Sequence, residues 1–207
     1  MAGSGTGTPA TGGGSYCALA DIKARLEIGT DYDDWLDGII AGASRFIDRW
    51  CLRSFEAAAE ATKYFDGNGK EYLIVPDLVS VSASGLIVED DTWAATDFIL
   101  YPLNETPKMK IFVDPDGDYS AFTEGRNNVE ITASWGYAAN APGEGNDLAD
   151  LWDVCVQLAI RSFKAAEQAY QDAGAVPELG QLFYKKALTP YMVEVLNRYK
   201  RRFHALN

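Results

Sequence analysis

Residues 147–172 read DLADLWDVCVQLAIRSFKAAEQAYQD, a segment with neither glycine nor proline and with a clear helical period. On a helical wheel its apolar residues fall on one broad face, while its polar residues form a narrow strip. The apolar face comprises Leu148, Leu151, Trp152, Cys155, Leu158, Ala159, Phe163, Ala166, Ala169 and Tyr170. A helix with so little polar surface must pack against several neighbours, so the pattern predicts a central helix.

The ends of this helix carry recognisable signals. Asn146 is placed to act as the N-cap, and Asp147 and Asp150 put negative charge at the positive end of the helix dipole. Gly174 and Pro177 are residues typical of a helix end. We therefore expect the helix to begin near Asp147 and to end before Gly174.

The composition indicates a globular protein, since 47% of the 207 residues are hydrophobic and 23% are charged. The formal net charge of −12 argues against a general nucleic-acid-binding protein, because duplex affinity depends largely on lysine and arginine. The charge is uneven: Glu178 to Asn207 contains six basic and two acidic residues, so this segment is +4 and the remainder is −16. The asymmetry predicts a C-terminal segment that contacts an acidic partner.

Two further features bear on the compartment of the protein. No apolar run approaches the roughly 20 residues that cross a bilayer, and the N-terminus lacks the pattern of a secretory signal, so we expect no membrane partner and no export signal. Cys17, Cys51 and Cys155 lie far apart within helical patterns. This spacing favours buried free thiols in a reducing compartment over a disulfide framework.

Residues 1–15 are almost all glycine, serine, threonine and alanine, which predicts a flexible arm; an arm that orders against a neighbouring subunit is the alternative. From residue 16 a helical period follows. A short helix over Leu19 to Ile28 is expected to stop at Gly29, and a longer helix, capped by Thr30 or Asp31, to run to Cys51. The two helices most simply form an αα-hairpin.

Between residues 62 and 145 the hydrophobic period falls to two, which predicts a compact antiparallel β domain. Asn68 and Gly69 separate the first two strands and are a strong hairpin signal, because both residues tolerate positive φ. The predicted strands are Thr62 to Phe65, Glu71 to Val75, Val79 to Val88, Phe98 to Tyr101, Met109 to Val113 and Asn128 to Trp135.

The segment from Leu179 to Leu206 is predicted to be helical with a break, where Thr189 caps a new helix and Pro190 occupies its first position. The expected fold class is therefore α+β. Residues 16–61 and 146–207 would form a helical bundle of the N-terminal hairpin and the C-terminal helices, with the small antiparallel β domain of residues 62–145 inserted between them.

Residues that support catalysis are sparse. The single histidine, His204, is the fourth residue from the end of the chain, which argues against histidine-ligated zinc and against Ser-His-Asp or Cys-His catalysis. DPDGDY at 114–119 lacks the spacing of a calcium loop, and DGNGK at 66–70 leads into a strand, unlike a P-loop. We therefore expect that the protein is not an enzyme and that it has no metal site and no cofactor.

An alternative function is that of a ligand-binding β module on a helical base, with Trp93 or Trp135 as a stacking platform, although core packing is favoured for both rings.

Four segments occur in an informative order: DDWLDGIIAGASRFIDRWCLRSF (Asp33 to Phe55), TKYFDGNGKEYLIVPDLVSVSASGLIV (Thr62 to Val88), VEITASWGYA (Val129 to Ala138) and AIRSFKAAEQAY (Ala159 to Tyr170). Together they resemble the head-tail connector, or adaptor, proteins of tailed bacteriophages. The resemblance spans nearly the whole chain from Tyr16 and rests on the order and spacing of the segments. The glycine-rich arm and the proline-broken C-terminal segment depart from it.

The resemblance implies a structural virion protein at the head-tail interface, made in the host cytoplasm during assembly. Such proteins form a ring, usually of twelve subunits, between the portal at the capsid vertex and the tail or neck. DNA passes through the lumen during ejection without sequence-specific binding. The implied partners are the portal protein and the next neck or tail protein, and a tail-completion or stopper protein of the neck is the closest alternative.

In that family the terminal helical segment commonly docks on the portal, and the basic C-terminal segment fits this role. The predicted portal-binding residues are Arg198, Lys200, Arg201 and Arg202, with Tyr199 and Phe203 as apolar anchors. A merely solvated charged face is the alternative for these residues. On the central helix, Val154, Val156 and Ile160 flank the apolar face, and we expect them to contact neighbouring subunits.

Overall fold

The computed structural model describes residues 14–57, 59–171 and 188–201, so most of the predicted arm lies outside the described ranges. The described helices are α1 (Leu19–Leu26), α2 (Asp33–Cys51), α3 (Ala149–Gln171) and α4 (Pro190–Tyr199). The described strands are β1 (Ala61–Gly67), β2 (Tyr72–Val88), β3 (Asp91–Thr92), β4 (Phe98–Tyr101), β5 (Lys108–Val113) and β6 (Gly125–Trp135). The protein is α+β, as predicted, with a six-stranded antiparallel sheet between α2 and α3 in sequence.

Helix α3 is the predicted central helix, and it contacts each of the other three described helices. Asn146 Oδ1 accepts a hydrogen bond from the N–H of Leu148 at 2.9 Å, but the first helical residue is Ala149, so the N-cap predicted at Asn146 is two positions early and its side chain closes the turn before the helix. The residues of α3 with no exposed surface are Leu151, Val154, Cys155, Val156 and Ala159. The predicted end signals, Gly174 and Pro177, lie outside the described residues.

The helices share one hydrophobic cluster, to which each presents a single face. Helix α2 contributes Leu36, Ile40, Ala43, Ile47 and Cys51, and α4 contributes Met192, Val195 and Leu196. Residues three and four apart lie on one side of a helix, so this spacing buries one face and leaves the other in water. The arrangement of the helices as a bundle and the domain boundaries stay predictions.

Two helix ends differ from the predicted ones. Helix α1 ends just before Glu27, which adopts the left-handed conformation with φ of 55°, so the helix stops before Gly29 is reached. Helix α2 begins at Asp33 without a side-chain cap, so the capping predicted for Thr30 or Asp31 is wrong. Acidic residues occupy the first turn, as predicted, where the positive end of the helix dipole stabilises their negative charge.

The sheet has the order β1–β6–β2–β5–β4, with β3 beside β2, and its pairs are antiparallel. Strand β2 is one strand of 17 residues, where two separate strands were predicted. Its first part pairs with β5 and its second with β6, and the register against β5 shifts between Ile74 and Leu78. Pro76 lies within that shift, where its missing N–H disturbs the ladder least.

Asn68 and Gly69 form a turn, but the turn does not join paired strands. Gly69 has a positive φ of 69°, and Asn68 Oδ1 accepts a hydrogen bond from the N–H of Lys70 at 3.0 Å. Strands β1 and β2 are separated by β6 in the sheet, so the predicted hairpin is wrong. Turn residues determine the local reversal, whereas the partner of a strand depends on the faces that the whole sheet buries.

A second cluster of buried hydrophobic residues is formed by the strands of the sheet and the loops between them. Trp93 is 1% exposed and stacks on Tyr119 with the ring centroids 4.4 Å apart. Trp135 is 6% exposed, and its Nε1 donates a hydrogen bond to the Ala61 carbonyl at 2.7 Å. Both tryptophans therefore pack within the protein, as favoured from the sequence, and neither offers an exposed ring for a sugar.

Backbone hydrogen bonds and a shielded ion pair join the helices to the sheet. The Tyr137 N–H donates to the Ser54 carbonyl at 2.8 Å, and the Ala57 N–H donates to the Ala138 carbonyl at 2.9 Å. Arg53 Nη1 lies 3.0 Å from Asp77 Oδ2, and the two side chains are only 13% and 6% exposed. Because water reaches neither charge well, each depends on the other for compensation.

Candidate interaction surfaces

Within the described residues there is no group of three or more His, Cys, Asp or Glu side chains arranged to hold a metal ion. The same part of the chain contains no helix long and apolar enough to span a membrane. The cavities at the described surface are shallow; one of them is lined by Arg49, Trp50, Leu52 and Lys200. The candidate sites considered below are exposed surfaces of the described residues.

The C-terminal helix α4 is anchored where the sequence predicted. Thr189 Oγ1 accepts a hydrogen bond from the Met192 N–H at 3.2 Å, and Pro190 is the first helical residue, so the predicted cap and helix start are confirmed. The helical stretch predicted before this point, from Leu179 to residue 187, lies outside the described residues. Met192, Val195 and Leu196 are fully or almost fully buried against α2 and α3. The position of the basic residues that follow is fixed by this burial.

Tyr199 is held inside the subunit. Its hydroxyl donates a hydrogen bond to Asp150 Oδ1 at 2.9 Å, and its ring makes edge contacts with Phe55 and Tyr137 at centroid distances of 5.6 and 5.8 Å. Burial, followed by the hydrogen bond to Asp150, raises the pKa of Tyr199. The predicted anchor is thus half-buried and already used to fix the end of α4 to α3.

The predicted basic residues take different positions. The Arg198 side chain is 62% exposed, with Nη2 3.5 Å from Glu194 Oε1 and Nη1 3.9 Å from Asp150 Oδ2. Lys200 is exposed, and its Nζ lies 6.0 Å from the centroid of the Trp50 ring. Arg201 is half-buried: its N–H donates to the Cys51 carbonyl at 2.8 Å. Of the described part of this set, Arg198 and Lys200 therefore present most charge to solvent, and Arg202 and Phe203 lie outside the described residues.

An aromatic and basic surface that the sequence did not indicate lies beside Lys200, and we call it the helix patch. It comprises Phe46, Arg49, Trp50, Leu52 and Lys200. Phe46 is 38% and Leu52 48% exposed, and the rings of Phe46 and Trp50 lie 5.9 Å apart. The helical spacing of α2 could have indicated this surface. Phe46 and Trp50 each stand one position before a buried residue, Ile47 and Cys51, so their side chains point to the edge of the apolar face.

The second exposed surface lies on the outer side of β2, β5 and β4, and we call it the sheet face. It comprises Tyr72, Ile74, Tyr101, Lys110 and Phe112. Cross-strand pairing puts Tyr72 of β2 opposite Phe112 of β5. Lys110 of β5 lies between Ile74 on β2 and Tyr101 on β4. The ring centroids of Phe112 lie 5.4 Å from Tyr72 and 4.8 Å from Tyr101, and Lys110 Nζ lies 5.5 Å from the Tyr72 ring. The sheet thus has aromatic rings and a cation on its outer side.

The three residues predicted to contact neighbouring subunits are mostly inside the subunit. Val154 and Val156 have no exposed surface, because both lie in the helical hydrophobic cluster. Ile160 is half-buried against the same cluster. Of these residues, Ile160 alone retains surface that a neighbour could contact. The broad apolar face of α3 is satisfied by the other helices of the same chain.

Comparisons with known proteins add a likeness of fold. No protein-family model matches the sequence, and a search of curated proteins finds no match. The structure is similar to a chain in the neck of an empty gene transfer agent particle computed with C6 symmetry, with a TM-score of 0.52, 15% identity, and 90% of each chain covered. It is also similar to a chain in the virion of a native gene transfer agent particle, with a TM-score of 0.52, 16% identity, and coverage of 97% of this chain and 96% of that chain. The resemblance drawn from the sequence is thereby confirmed at the level of the fold.

Proposed function

We propose that this protein is a structural component of a virion neck, a head-tail connector that assembles into a ring between the portal vertex and the tail. The observation that carries the proposal is the similarity of fold over at least 90% of both chains to proteins from the neck and virion of gene transfer agent particles. A match over nearly the full length includes both the helices and the sheet. Fold alone does not determine function, so the surfaces of this chain supply the rest of the argument.

The ring is proposed to form through unlike surfaces of adjacent subunits. A head-to-tail contact between two different patches generates a closed ring when its rotation closes. The sheet face carries Lys110, with Lys70 Nζ 5.7 Å from the Tyr72 ring, on a chain whose net charge is −12. Its complement on the next copy is proposed to be the acidic, exposed side of α2 at Asp34 and Asp37. Ile160 is proposed to lie at the edge of the subunit contact.

A charge swap tests this ring contact. Lys110→Glu and Asp34→Lys should each reduce assembly, and the double variant should recover it because the opposite charges again face each other. Sedimentation velocity of the four proteins, alone and with the portal, measures the assembled fraction. Equal assembly of the single variants and the original protein would place the ring contact elsewhere.

Portal docking is proposed for the C-terminal segment, through Arg198 and Lys200 together with Arg201, Arg202 and Phe203. The exposed cations of α4 stand at the end of a helix whose other side is buried, so they are presented on a rigid support. We place Tyr199 among the residues that hold this support rather than among the exposed anchors. The helix patch includes Lys200, and its Phe46, Trp50 and Leu52 are proposed to supply apolar surface for the same contact.

Binding to purified portal rings tests the docking proposal. Arg198→Glu with Lys200→Glu should lower the affinity and its dependence on salt, because both charges are exposed and near the proposed contact. Arg126→Glu with Lys164→Glu is the matched control, since it makes the same change in net charge at other exposed positions. Equal binding by the two double variants would remove these residues from the portal contact. Failure of the original protein to bind any portal would contradict the connector proposal itself.

The proposed lumen passes DNA without sequence-specific contacts, and the net charge of −12 suits a passage that does not retain the duplex. The proposed role is structural and not enzymatic, with location in the virion after assembly in the host cytoplasm. A tail-completion or stopper protein of the same neck is the second candidate. It is distinguished by the partner, since such a protein would bind an adjacent neck protein and not the portal.

A further inference from the structure

Two cysteines that are far apart in sequence meet inside the helical cluster. Cys17 Sγ lies 3.3 Å from Cys155 Sγ, although the two residues are 138 positions apart in the chain. The two residues are 5% and 0% exposed, and the sulfurs are free thiols. Cys155 is in the middle of α3, whereas Cys17 lies in the non-helical segment before α1.

The segment that carries Cys17 is fixed by the residue before it, Tyr16. The backbone N–H of Tyr16 donates to Ser44 Oγ at 3.0 Å, and Ser44 Oγ itself lies 3.6 Å from Cys155 Sγ. The Tyr16 hydroxyl donates to Asp48 and accepts a hydrogen bond from the Phe55 N–H at 3.0 Å. These contacts fix Tyr16 on α2 and beside Phe55, so they limit the orientations in which the neighbouring Cys17 meets Cys155.

We propose that Cys17 and Cys155 form a redox modification site, a buried dithiol that closes to an intramolecular disulfide in the folded protein. The geometry requires the sulfurs to move about 1.3 Å closer to reach bonding distance. Because Cys17 is outside the helices, its backbone adjusts without breaking a helical hydrogen bond. The site is independent of the proposed neck function.

The oxidant class is a small peroxide, which is compact enough to reach a nearly buried thiol. Cys17, the member of the pair with exposed surface, gives up its proton and its sulfur bonds to one peroxide oxygen as the O–O bond breaks, which yields a sulfenic acid and water. The Cys155 sulfur then bonds to the Cys17 sulfur, and the sulfenic oxygen leaves with the Cys155 proton as a second water. Two thiols are oxidised to one disulfide, and one hydrogen peroxide is reduced to two waters.

The reaction is expected to be slow. The hydrogen bond to Cys155, together with burial, raises the pKa of the Cys17 thiol, whereas the same hydrogen bond lowers the pKa of Cys155, which has no exposed surface. The thiol that a peroxide reaches first is therefore mostly protonated at neutral pH. The dithiol would therefore persist under reducing conditions and close on longer exposure to an oxidising medium. Closure ties the segment before α1 to α3 and restricts the unfolded chain over a long loop.

Cys51 provides an internal control within the same protein. It is fully buried, but its Sγ lies 3.4 Å from the Leu196 carbonyl oxygen, to which it donates. The protein is treated in its folded state with hydrogen peroxide, denatured in excess alkylating agent, digested and analysed by mass spectrometry. We expect a linked peptide pair containing Cys17 and Cys155, two hydrogens lighter than the sum of the thiol peptides, and an alkylated Cys51. Recovery of Cys17 and Cys155 as alkylated thiols, as separate sulfinic acids, or joined to Cys51 would overturn the proposal.

A thermal-unfolding comparison provides a second readout. Oxidation should raise the Tm of the original protein by roughly 10 °C, because a disulfide that closes a long loop restricts the unfolded state. Cys51→Ala should show the same rise, and Cys17→Ser should show none. A Cys17→Ser protein whose Tm rises on oxidation as much as that of the original would also overturn the proposal.

Discussion

Replacing Tyr199 by phenylalanine tests whether this residue acts inside the subunit. The substitution removes the hydroxyl that donates to Asp150 Oδ1 at 2.9 Å and leaves the ring contacts with Phe55 and Tyr137 in place. A hydrogen bond to a charged group contributes about 1.5–3 kcal/mol, and the lower end applies here because Asp150 is 25% exposed and water replaces the lost donor. We therefore expect Tyr199→Phe to lower the free energy of unfolding by about 1.5 kcal/mol.

Urea denaturation followed by tryptophan fluorescence measures this change as a lower midpoint with an unchanged m-value. Tyr199→Ala should cost about 3–5 kcal/mol, because it also removes the ring from between two aromatic neighbours. Tyr191→Phe on the same helix is the control: this side chain is 48% exposed, and its hydroxyl should contribute less than about 0.5 kcal/mol. If Tyr199→Phe is as stable as Tyr191→Phe, the contact with Asp150 does not hold the end of α4.

Three further substitutions probe the joint between the helices and the sheet and the interior behind α1. Asp77→Ala should cost about 3–5 kcal/mol in urea denaturation, because it leaves the Arg53 charge shielded and unpaired; Arg53→Met with Asp77→Leu should recover much of that loss. Gly136→Ala should cost about 1–3 kcal/mol, since its Cβ would stand 2.6 Å from the Ala57 Cα, and a variant of unchanged stability would refute that clash. Burial, followed by the hydrogen bond to Asp48, raises the pKa of Tyr16 above its ordinary value of 10.0, so the folded state keeps a proton that the unfolded state releases. The stability that this retained proton contributes is complete below pH 10. Above pH 10 the free energy of unfolding falls by up to about 1.4 kcal/mol per pH unit, and Tyr16→Phe should reduce this slope.

The elements that could be predicted from sequence are those whose signals are local. The period of α3 and the Thr189–Pro190 start of α4 depend on residues within a few positions of each other. The same is true of β4, whose predicted and observed bounds, Phe98 and Tyr101, agree. Each of these elements is specified by its own spacing, so no knowledge of the rest of the chain was needed.

The sheet order could not be obtained in this way. The turn at Asn68 and Gly69 is present, yet β6, which begins more than fifty residues later, lies between the two strands that the turn joins. The choice depends on burial of the whole inner face, to which β2 contributes Leu73, Val75, Leu86 and Val88. A two-residue turn is energetically small beside that burial.

The candidate surfaces likewise depend on contacts between residues that are far apart in the sequence. The role of the basic C-terminal segment stays a prediction, and the partner of Tyr199 is 49 positions away and the partner of Cys17 is 138 positions away. Neither contact follows from periodicity. Val154 and Val156 were assigned to a subunit interface because the apolar face of α3 is wide, whereas α1, α2 and α4 together cover that width within one chain.

The most direct test of the connector proposal is the molar mass of the purified protein measured by light scattering, first alone and then mixed with purified portal rings at low and moderate salt. The proposal predicts a ring, or a monomer that joins the portal in a fixed stoichiometry. A monomer that stays unbound to the portal at both salt concentrations would contradict it.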